Sequence, residues 1–458
     1  MLQRLKPFRS LPNAKEVWAW GMYDLANQSF TLLVITLLFP IYFRQVMVED
    51  GARGDVLWSI AGSTGLLLSV LAAPVLGAMA DSRGWKKRML MTTGVVCVAL
   101  TCCFALVPSG WWLLAMAIFI PANFCYQIGE NFLASFLPEI STSRNIGHVS
   151  AIGWTMGYIG ALLLLVFTAL QMQLFGWQAT ENWGGLFVFA GLWFAAGMVA
   201  PWIILKETPA YGGEAAKGVG GAVKAGFGRL GETVRSAKQY AQVGRFLLAF
   251  FAYSLGVQTM IYFAVILADD FGFQQLQLVL FVLQLTVTAG IAAIVTGMIQ
   301  DRIGARTTVM IFLGVWIVTA LSMLILTLPE DPPTWTFWII GNGVGLGLGG
   351  IGTSSRALLG RFTPKHKTAE FFGLWGMTYK GAGVIGVLSF GQVRGLVGSS
   401  ASLILLTTFF VAGAILLLRV NDKRGMRAAR ASERKALKDR EESPQRHSDT
   451  EGEKEEEG

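Results

Sequence analysis

Long apolar stretches alternate with short charged clusters along the chain. The apolar stretches run continuously, without the every-second-residue alternation that is typical of an amphipathic strand. Roughly 20 residues at 1.5 Å per residue cross a hydrocarbon core of about 30 Å, and backbone amides in lipid must bond within the helix. The pattern therefore predicts an all-α membrane protein with twelve transmembrane helices, at 17–43, 57–80, 88–108, 111–137, 149–171, 184–205, 244–268, 276–299, 307–328, 334–356, 371–392 and 400–419.

The charged connectors predict the orientation of these helices. If the N-terminus lies inside, nearly all of the 37 Lys and Arg residues fall in cytoplasmic segments such as 81–88, 206–245 and 356–368. Connectors on the other side are acidic or neutral, and few basic residues lie there: Arg44, Arg53 and Arg394. Because basic loops stay on the cytoplasmic side of a membrane, we expect both termini to be cytoplasmic.

Composition argues against several other classes of protein. Charged residues make up 14% of the chain, well below the roughly 25% that a soluble protein carries. The net charge of +8 follows from the basic cytoplasmic loops, so no nucleic-acid partner is expected. The glycine-rich run at 341–352 lacks the G-K-[ST] ending of a phosphate-binding loop and predicts close helix packing instead. The cysteines lack metal-ligand spacing and the histidines lie in cytoplasmic segments, so we expect no metal, no cofactor and no enzymatic activity.

A charged loop occurs twice in the sequence. Residues 77–88 read G-A-M-A-D-S-R-G-W-K-K-R, and residues 297–308 read G-M-I-Q-D-R-I-G-A-R-T-T. The offset that aligns the two loops also superposes six spans on the other six, within a few residues. Such a duplication predicts two pseudo-symmetric six-helix bundles, an architecture known among transporters. The aligned positions are Gly77, Asp81 and Gly84 in the first copy and Gly297, Asp301 and Gly304 in the second.

The duplication predicts an N-terminal bundle at 1–205, a cytoplasmic linker at 206–243, a C-terminal bundle at 244–420 and a charged tail at 421–458. The tail lacks the apolar residues to form a core, and we expect it to be disordered, with any helix confined to its basic first part. The linker predicts a basic amphipathic helix on anionic lipid, with its apolar face at Val219, Val223, Phe227, Leu230 and Val234. The alternative is a flexible segment, since the many glycines of the linker disfavour a helix.

The doubled loop resembles the signature of the major facilitator superfamily, G-x-x-x-D-[R/K]-x-G-[R/K], with Ser82 at a position that is usually basic. The resemblance implies the major facilitator fold and a conformational latch that clamps the two halves on the cytoplasmic side. A carboxylate at a helix end can face a neighbouring helix N-terminus or an arginine. The alternative is that the loop charges only anchor the topology. The latch residues would be Gly77, Asp81, Arg83, Gly84 and Arg88 in the first copy and Asp301, Arg302 and Gly304 in the second.

Four further segments resemble the vacuole effluxer family of this superfamily. They are W-A-W-G-M-Y-D-L-A-N-Q-S-F at 18–30, the segment from F-L-P-E-I to G-W-T-M-G-Y-I-G-A at 136–161, R-F-L-L-A-F-F-A-Y-S-L-G-V-Q-T at 245–259 and E-F-F-G-L-W-G-M-T-Y-K-G at 370–381. The resemblance implies efflux of amino acids or similar small polar solutes and, as in bacterial members, a place in the inner (plasma) membrane. Ser254-Leu255 stand where the family usually has Asn-Asp, which removes a carboxylate that could carry a coupling ion.

Polar side chains inside the predicted spans are the candidate binding residues. A charge at mid-membrane costs roughly 2.5 kcal/mol or more on insertion scales and therefore marks a functional candidate. Polar residues at i, i+3, i+4 and i+7 form a stripe on the first helix, and a shorter stripe lies on the seventh, its partner in the repeat. The stripes are Asp24, Asn27, Gln28 and Thr31, and Gln258 and Tyr262; Glu130 and Asn131 lie in the fourth span and Lys380 in the eleventh.

These residues predict a polar cavity between the two halves. Lys380 could hold a carboxylate of the solute, and Glu130 or Asp24 could take up a proton. The alternative is a buried salt bridge from Lys380 to one of these acids that only fixes helix packing, since a lone buried lysine would lose its proton. Three tryptophans lie deep enough to stack on a solute, although packing is the simpler interpretation: Trp154, Trp193 and Trp375.

The sequence thus predicts a secondary transporter of a small polar solute, working by alternating access of two rocking bundles. Active transport would draw on a coupled proton or cation, or on the gradient of the solute itself. The resemblance favours amino-acid-like efflux, and a carrier of sugars or cell-wall fragments is the alternative within the same class. In other classes, the chain could be a lipid scramblase or a receptor without flux.

Overall fold

The structure is a computed structural model that describes residues 11, 13–142, 145–207, 240–329, 333–364 and 367–434, with a few single positions between 221 and 235. These residues are almost entirely helical. The long helices α1 to α12 are Ala14–Val48, Gly51–Arg83, Lys86–Leu106, Trp112–Phe136, Ile146–Leu174, Gly184–Ile204, Ala241–Asp270, Gln275–Ile303, Ala305–Leu326, Thr334–Phe362, Thr368–Leu396 and Ser399–Leu418. Helix α1 contains two wider π-helical stretches, Ser29–Leu38 and Phe43–Val48.

Each long helix corresponds to one predicted span, with ends that differ by a few residues. Ten of them have the length and hydropathy of a helix that crosses a membrane, so the protein is an all-α, multi-pass membrane protein. Helices α10 and α11 are 29 residues long but more polar, so their crossing stays a prediction. Helix α10 also continues to Phe362, whereas the sequence predicts its end at 356.

The helices pack as two groups, α1–α6 and α7–α12. Within the first, α1 packs on α5 and α6; within the second, α7 packs on α11 and α12. The groups meet through α2 against α11, α5 against α8 and α1 against α7. Most of the linker, including four of the five apolar positions of its possible amphipathic helix, lies outside the described residues. The tail is helical at 422–434, and its remainder also lies outside them.

Glycines on two faces of α10 allow it to approach two neighbours closely. A Cβ would collide with α8 at Gly341, Gly345 and Gly349, and with α9 at Gly343, Gly347 and Gly350. The obstacles include backbone, such as the carbonyl oxygens of Leu285 and Ala289. The close packing predicted for the glycine-rich run is therefore confirmed, and it holds α10 tightly against both α8 and α9.

The two halves touch near one face of the molecule and separate toward the other. We call the face where α1 begins the predicted cytoplasmic face, and the face where α1 ends the predicted external face. Near the external face, Gly391 of α11 lies so close to Ser59 of α2 that a Cβ would not fit. Toward the cytoplasmic face, a Cβ built on Gly373, Gly376 or Gly381 of the same helix would meet no neighbouring helix of the described residues within 4 Å. The contact of α11 with its neighbours is therefore looser on that side, and we call the region between the halves there, with its polar side chains, the cleft.

Five charged residues join the halves at the external face: Arg44, Asp55, Asp269, Asp270 and Arg394, which we call the external ion cluster. Arg394 Nε lies 2.8 Å from Asp55 Oδ2, and both side chains are about 95% buried, with exposed fractions of 5% and 4%. Arg44 Nε lies 3.1 Å from the other oxygen of Asp55. Arg394 also pairs with Asp270, and Arg44 Nη1 lies 3.3 Å from Asp270 Oδ1. The cluster links α1 and α2 to α7 and α11, so it holds the external side closed.

Candidate functional site

The polar stripe of α1 faces α4 at the cleft. The Asn27 amide donates a hydrogen bond to Glu130 Oε1, and the Thr31 hydroxyl lies 2.5 Å from the Tyr126 hydroxyl. Gln28 Nε2 donates to Asn27 Oδ1 at 3.4 Å. The structure thus brings Asn27 and Glu130 together, although they are 103 positions apart in the sequence.

Lys380 connects the two halves through α4. Its Nζ donates to Asn131 Oδ1 at 2.7 Å and to the Gln127 carbonyl oxygen at 2.8 Å. Among the described residues, Lys380 forms no ion pair with Glu130 or Asp24. The direct salt bridge that the sequence offered as the alternative is therefore not formed. Glu130 remains within electrostatic range of the ammonium group. Lys380 is therefore held by neutral oxygen atoms of the opposite half.

Asp24 faces a cation that the sequence did not single out. Asp24 lies against Gly157 of α5, where a Cβ would be 3.3 Å from Oδ2, and within electrostatic range of Arg356 of α10. The guanidinium carbon of Arg356 lies 4.8 Å from the ring centroid of Trp154 and 5.7 Å from that of Trp375. The predicted span ends at 356, which assigns Arg356 to a basic loop. The Ala-Leu-Leu that follows it is the signal that the helix continues past this residue.

The stripe of α7 belongs to an uncharged group deeper in the protein. The Tyr262 hydroxyl accepts from Asn123 Nδ2 at 3.3 Å, and Gln127 Nε2 donates to Asn123 Oδ1 at 3.4 Å. Gln258 Nε2 donates to the Tyr379 carbonyl oxygen at 3.4 Å. Four buried side chains make up this amide–tyrosine group: Asn123, Gln127, Gln258 and Tyr262. It lies where the two halves approach each other and presents only neutral donors and acceptors.

The ionisable side chains of the cleft are divided between the halves by sign. The acids Asp24 and Glu130 come from α1 and α4, and the bases Arg356 and Lys380 come from α10 and α11. The charges balance, with two of each sign. An acidic wall therefore faces a basic wall across the cleft, which favours a solute with a positive and a negative end.

The doubled loops lie at the predicted cytoplasmic face, each at the end of a helix. Gly84 ends α2 with φ of 66°, and Gly304 ends α8 with φ of 92°, backbone conformations that favour glycine. Lys86 Nζ lies 3.4 Å from Asp81 Oδ1 and 2.6 Å from Glu139 Oε1. In the second half Asp301 pairs with Arg361 of α10 at 2.8 Å. These ion pairs join elements of the same half.

The remaining latch residues occupy the loop surface. Arg83 lies 4.6 Å and Arg88 5.9 Å from the ring centroid of Trp85, and Arg302 is exposed. A small cavity of about 150 Å³ reaches from this loop toward the cleft and is lined by Gly77, Asp81, Lys86 and Asn131, among others. Within the described part of the chain, no cluster of His, Cys, Asp or Glu could hold a metal ion.

Comparison with known proteins agrees with this architecture. Residues 58–430 match the family model described as "Vacuole effluxer Atg22 like". An uncharacterized MFS-type transporter of Bacillus subtilis, YxiO, is 27% identical over 89% of this chain and 95% of its own length. Autophagy-related protein 22 of Kluyveromyces lactis is 22% identical over 91% of this chain and 95% of its own.

A solved structure shares the fold at low sequence identity. The crystal structure of a D-xylose–proton symporter superposes with a TM-score of 0.70 and 12% identity, over 90% of this chain and 98% of that one. The relatives of this chain are transporters of the major facilitator type rather than enzymes. The chain therefore belongs to the Atg22-like vacuole effluxer family and is a membrane transporter of the major facilitator type.

Proposed function

We propose that this transporter exports a small zwitterionic, amino-acid-like solute by alternating access. The observation that carries the proposal is the division of charge in the cleft, where Asp24 and Glu130 face Arg356 and Lys380 from opposite halves. An amino acid has an ammonium group for the acidic wall and a carboxylate for the basic wall. Ionisable groups inside a membrane protein are costly and are retained at solute and ion pathways.

A solute that touches both walls would favour closure of the cleft. Binding can shift the equilibrium between the open and closed conformations only as far as the solute binds the closed one more tightly than the open one. The same closure would bring the cytoplasmic ends of α2 and α11 together. The external ion cluster would then have to break before the external side opens.

The proposed direction is export across a plasma membrane, the bacterial inner membrane. The basic loops support a cleft that opens to the cytoplasm, where an exported solute would enter. Export against a gradient would need a coupled ion, and Glu130 or Asp24 could take up a proton. Leu255 stands at the position where the family resemblance leads one to expect an aspartate, so coupling at that position is not proposed.

A carrier of sugars or cell-wall fragments is the second candidate. The amide–tyrosine group favours it, because neutral amides and a tyrosine hydroxyl suit sugar hydroxyl groups. A lipid scramblase fits less well, since the polar side chains lie between the halves and not in a groove that faces lipid.

Purified protein should be tested by thermal shift against the standard L-amino acids, D-xylose and muropeptides, and then by counterflow in proteoliposomes with and without a pH gradient. We expect stabilisation and counterflow with amino acids. Stabilisation by sugars alone would favour the second candidate, and binding without counterflow would indicate a receptor. Equal counterflow with and without the pH gradient would contradict proton coupling, but it would not contradict the proposed class of solute.

A further inference from the structure

Two of the four charges in the cleft are already bound by the protein and two are not. Lys380 donates to Asn131 and to a backbone carbonyl, and Glu130 accepts from Asn27. Among the described residues, Asp24 and Arg356 form neither a hydrogen bond nor an ion pair, although each lies within electrostatic range of the other. Both lie against the same stretch of α5: Asp24 packs on Gly157, and Arg356 lies 4.8 Å from the ring centroid of Trp154, three residues earlier.

We infer that Arg356 binds the carboxylate of the solute and Asp24 its ammonium group, while Lys380 acts as a structural link between α11 and α4. The inference rests on the proposed function and names the residues that would bind the solute. It also names the solute more narrowly, as an α-amino acid with an uncharged side chain.

The surroundings of Arg356 suit a carboxylate. Two indole rings, one from α5 and one from α11, lie beside the guanidinium group at 4.8 and 5.7 Å. Such contacts hold a planar cation by its faces and leave the N–H groups at its edge available. The edge of a guanidinium matches a carboxylate in two parallel hydrogen bonds, which a lysine ammonium cannot form. Trp375 in turn stacks on Phe250 with ring centroids 5.0 Å apart, which fixes one side of this arrangement.

The position of the pair is reachable from the open side. Arg356 lies six residues before the end of α10, about 9 Å along the helix axis at the usual helical rise. The ring of Trp154 beside it is 52% exposed, so the arrangement is not sealed inside the protein. A solute entering from the predicted cytoplasmic face would meet Arg356 near the start of its path.

The balance of charge selects the solute side chain. Two acids face two bases, so a zwitterion with a neutral side chain leaves the total charge of the closed site at zero. An acidic or basic side chain would add a charge without a partner, which is unfavourable in a closed site within the membrane.

The alternative is that Arg356 only anchors α10 between α5 and α11. Binding of three probe families separates the two roles: L-leucine with isopentylamine and 4-methylpentanoate, L-phenylalanine with phenethylamine and 3-phenylpropanoate, and L-glutamine with L-glutamate. Wild-type protein should bind leucine, phenylalanine and glutamine, and it should discriminate against glutamate, against the amines and against the acids that lack an amino group. R356Q should weaken amino-acid binding by about 10- to 100-fold and remove the discrimination against the amines. D24N should remove the discrimination against the acids.

Three further variants make the outcome decisive. R356K keeps the charge but loses the paired hydrogen bonds, so it should bind more weakly than wild type; it also serves if R356Q does not fold. K380Q should lower the melting temperature while preserving the discrimination among probes. R53Q removes an arginine that also stacks on a tryptophan, Trp112 at 5.1 Å, but lies on the external surface, and it should bind as wild type does.

The failures of the two proposals can be told apart. If no amino acid binds wild-type protein, the proposed function is wrong and this inference falls with it. If amino acids bind and R356Q or R356K keeps wild-type affinity and discrimination, the assignment of Arg356 is wrong while the proposed function stands. If K380Q loses the discrimination among probes, Lys380 and not Arg356 binds the carboxylate of the solute, and the inference is overturned.

Discussion

Removing Arg394 from the external ion cluster should open the external side of the protein. The change Arg394→Gln removes one of the two arginines that pair with both Asp55 and Asp270. Breaking a buried ion pair by removal of one partner costs about 3–5 kcal/mol, because the other charge stays buried and unpaired. Asp55 keeps Arg44 at 3.1 Å, so the cost should lie near the lower end, about 3 kcal/mol.

This cost applies only while the external side is closed, since water reaches the carboxylates once it opens. A change of about 3 kcal/mol shifts an equilibrium by roughly 100-fold or slightly more. The equilibrium between the two conformations should therefore move by that factor toward the externally open one.

Ser59 offers a direct measurement of this shift. Its side chain is fully buried between α2 and α11 in the closed arrangement. Ser59→Cys, in a chain whose four natural cysteines are replaced, should react slowly with a membrane-impermeant maleimide added to whole cells. Adding Arg394→Gln should raise the labelling rate by about 100-fold, as long as opening limits the reaction.

The matched control is Arg53→Gln, which removes an arginine from the same face outside the cluster and should leave the labelling rate unchanged. Labelling in Arg394→Gln that is no faster than in this control would refute the gating role of the cluster. Faster labelling only from the inside of inverted vesicles would instead show that the predicted orientation is reversed.

Four further changes test other parts of the structure. Gly391→Ala should lower the melting temperature, by overpacking worth about 1–3 kcal/mol, whereas Gly376→Ala on the same helix should not. Lys380→Met should lower the free energy of unfolding by about 1.5–3 kcal/mol in a denaturant titration, because two charged hydrogen bonds are lost. Asp81→Asn should cut counterflow in proteoliposomes while leaving insertion and melting temperature intact, since its part-exposed ion pair contributes at most about 1 kcal/mol. Glu130→Gln should keep counterflow but remove any response to a pH gradient.

Each of these tests has an outcome that contradicts its reasoning. Equal melting temperatures for the two alanine variants would mean that the halves are not in contact at Gly391. Unchanged counterflow in the Asp81 variant would refute the latch, and a retained pH response in the Glu130 variant would assign the proton to another group. Lys380→Gln, which can still reach Asn131, is the comparison for Lys380→Met and should lose less stability.

Local sequence was enough to predict most of the helices. Continuous apolar runs leave the backbone few alternatives to a helix in lipid, so a helix forms at each predicted span. The glycine pattern of α10 was also enough to predict its close packing against neighbouring helices. The ends were harder, because a helix can leave the membrane before it stops. Arg356 is the clearest example: its charge indicates a loop, yet it lies within α10, beside tryptophans of two other helices.

The partners of the cleft residues could not be read from the sequence. Asn27 meets Glu130, and Lys380 reaches Asn131 across 249 positions of the chain. The sequence supplied these residue types and their helical faces. Which acid would meet which base depends on how far the two halves are rotated apart, a property of the packed assembly that no local spacing contains.

The opposed walls of the cleft also bear on how the carrier resets after releasing its solute. With the site empty, closing the cleft would bring the Asp24 carboxylate toward the Arg356 guanidinium, so each charge would neutralise the other. The unloaded protein therefore has its own means of compensating these charges during the return step. A carrier with this property can return without a solute, so it does not have to exchange one solute for another. It is therefore suited to net transport of its solute out of one compartment.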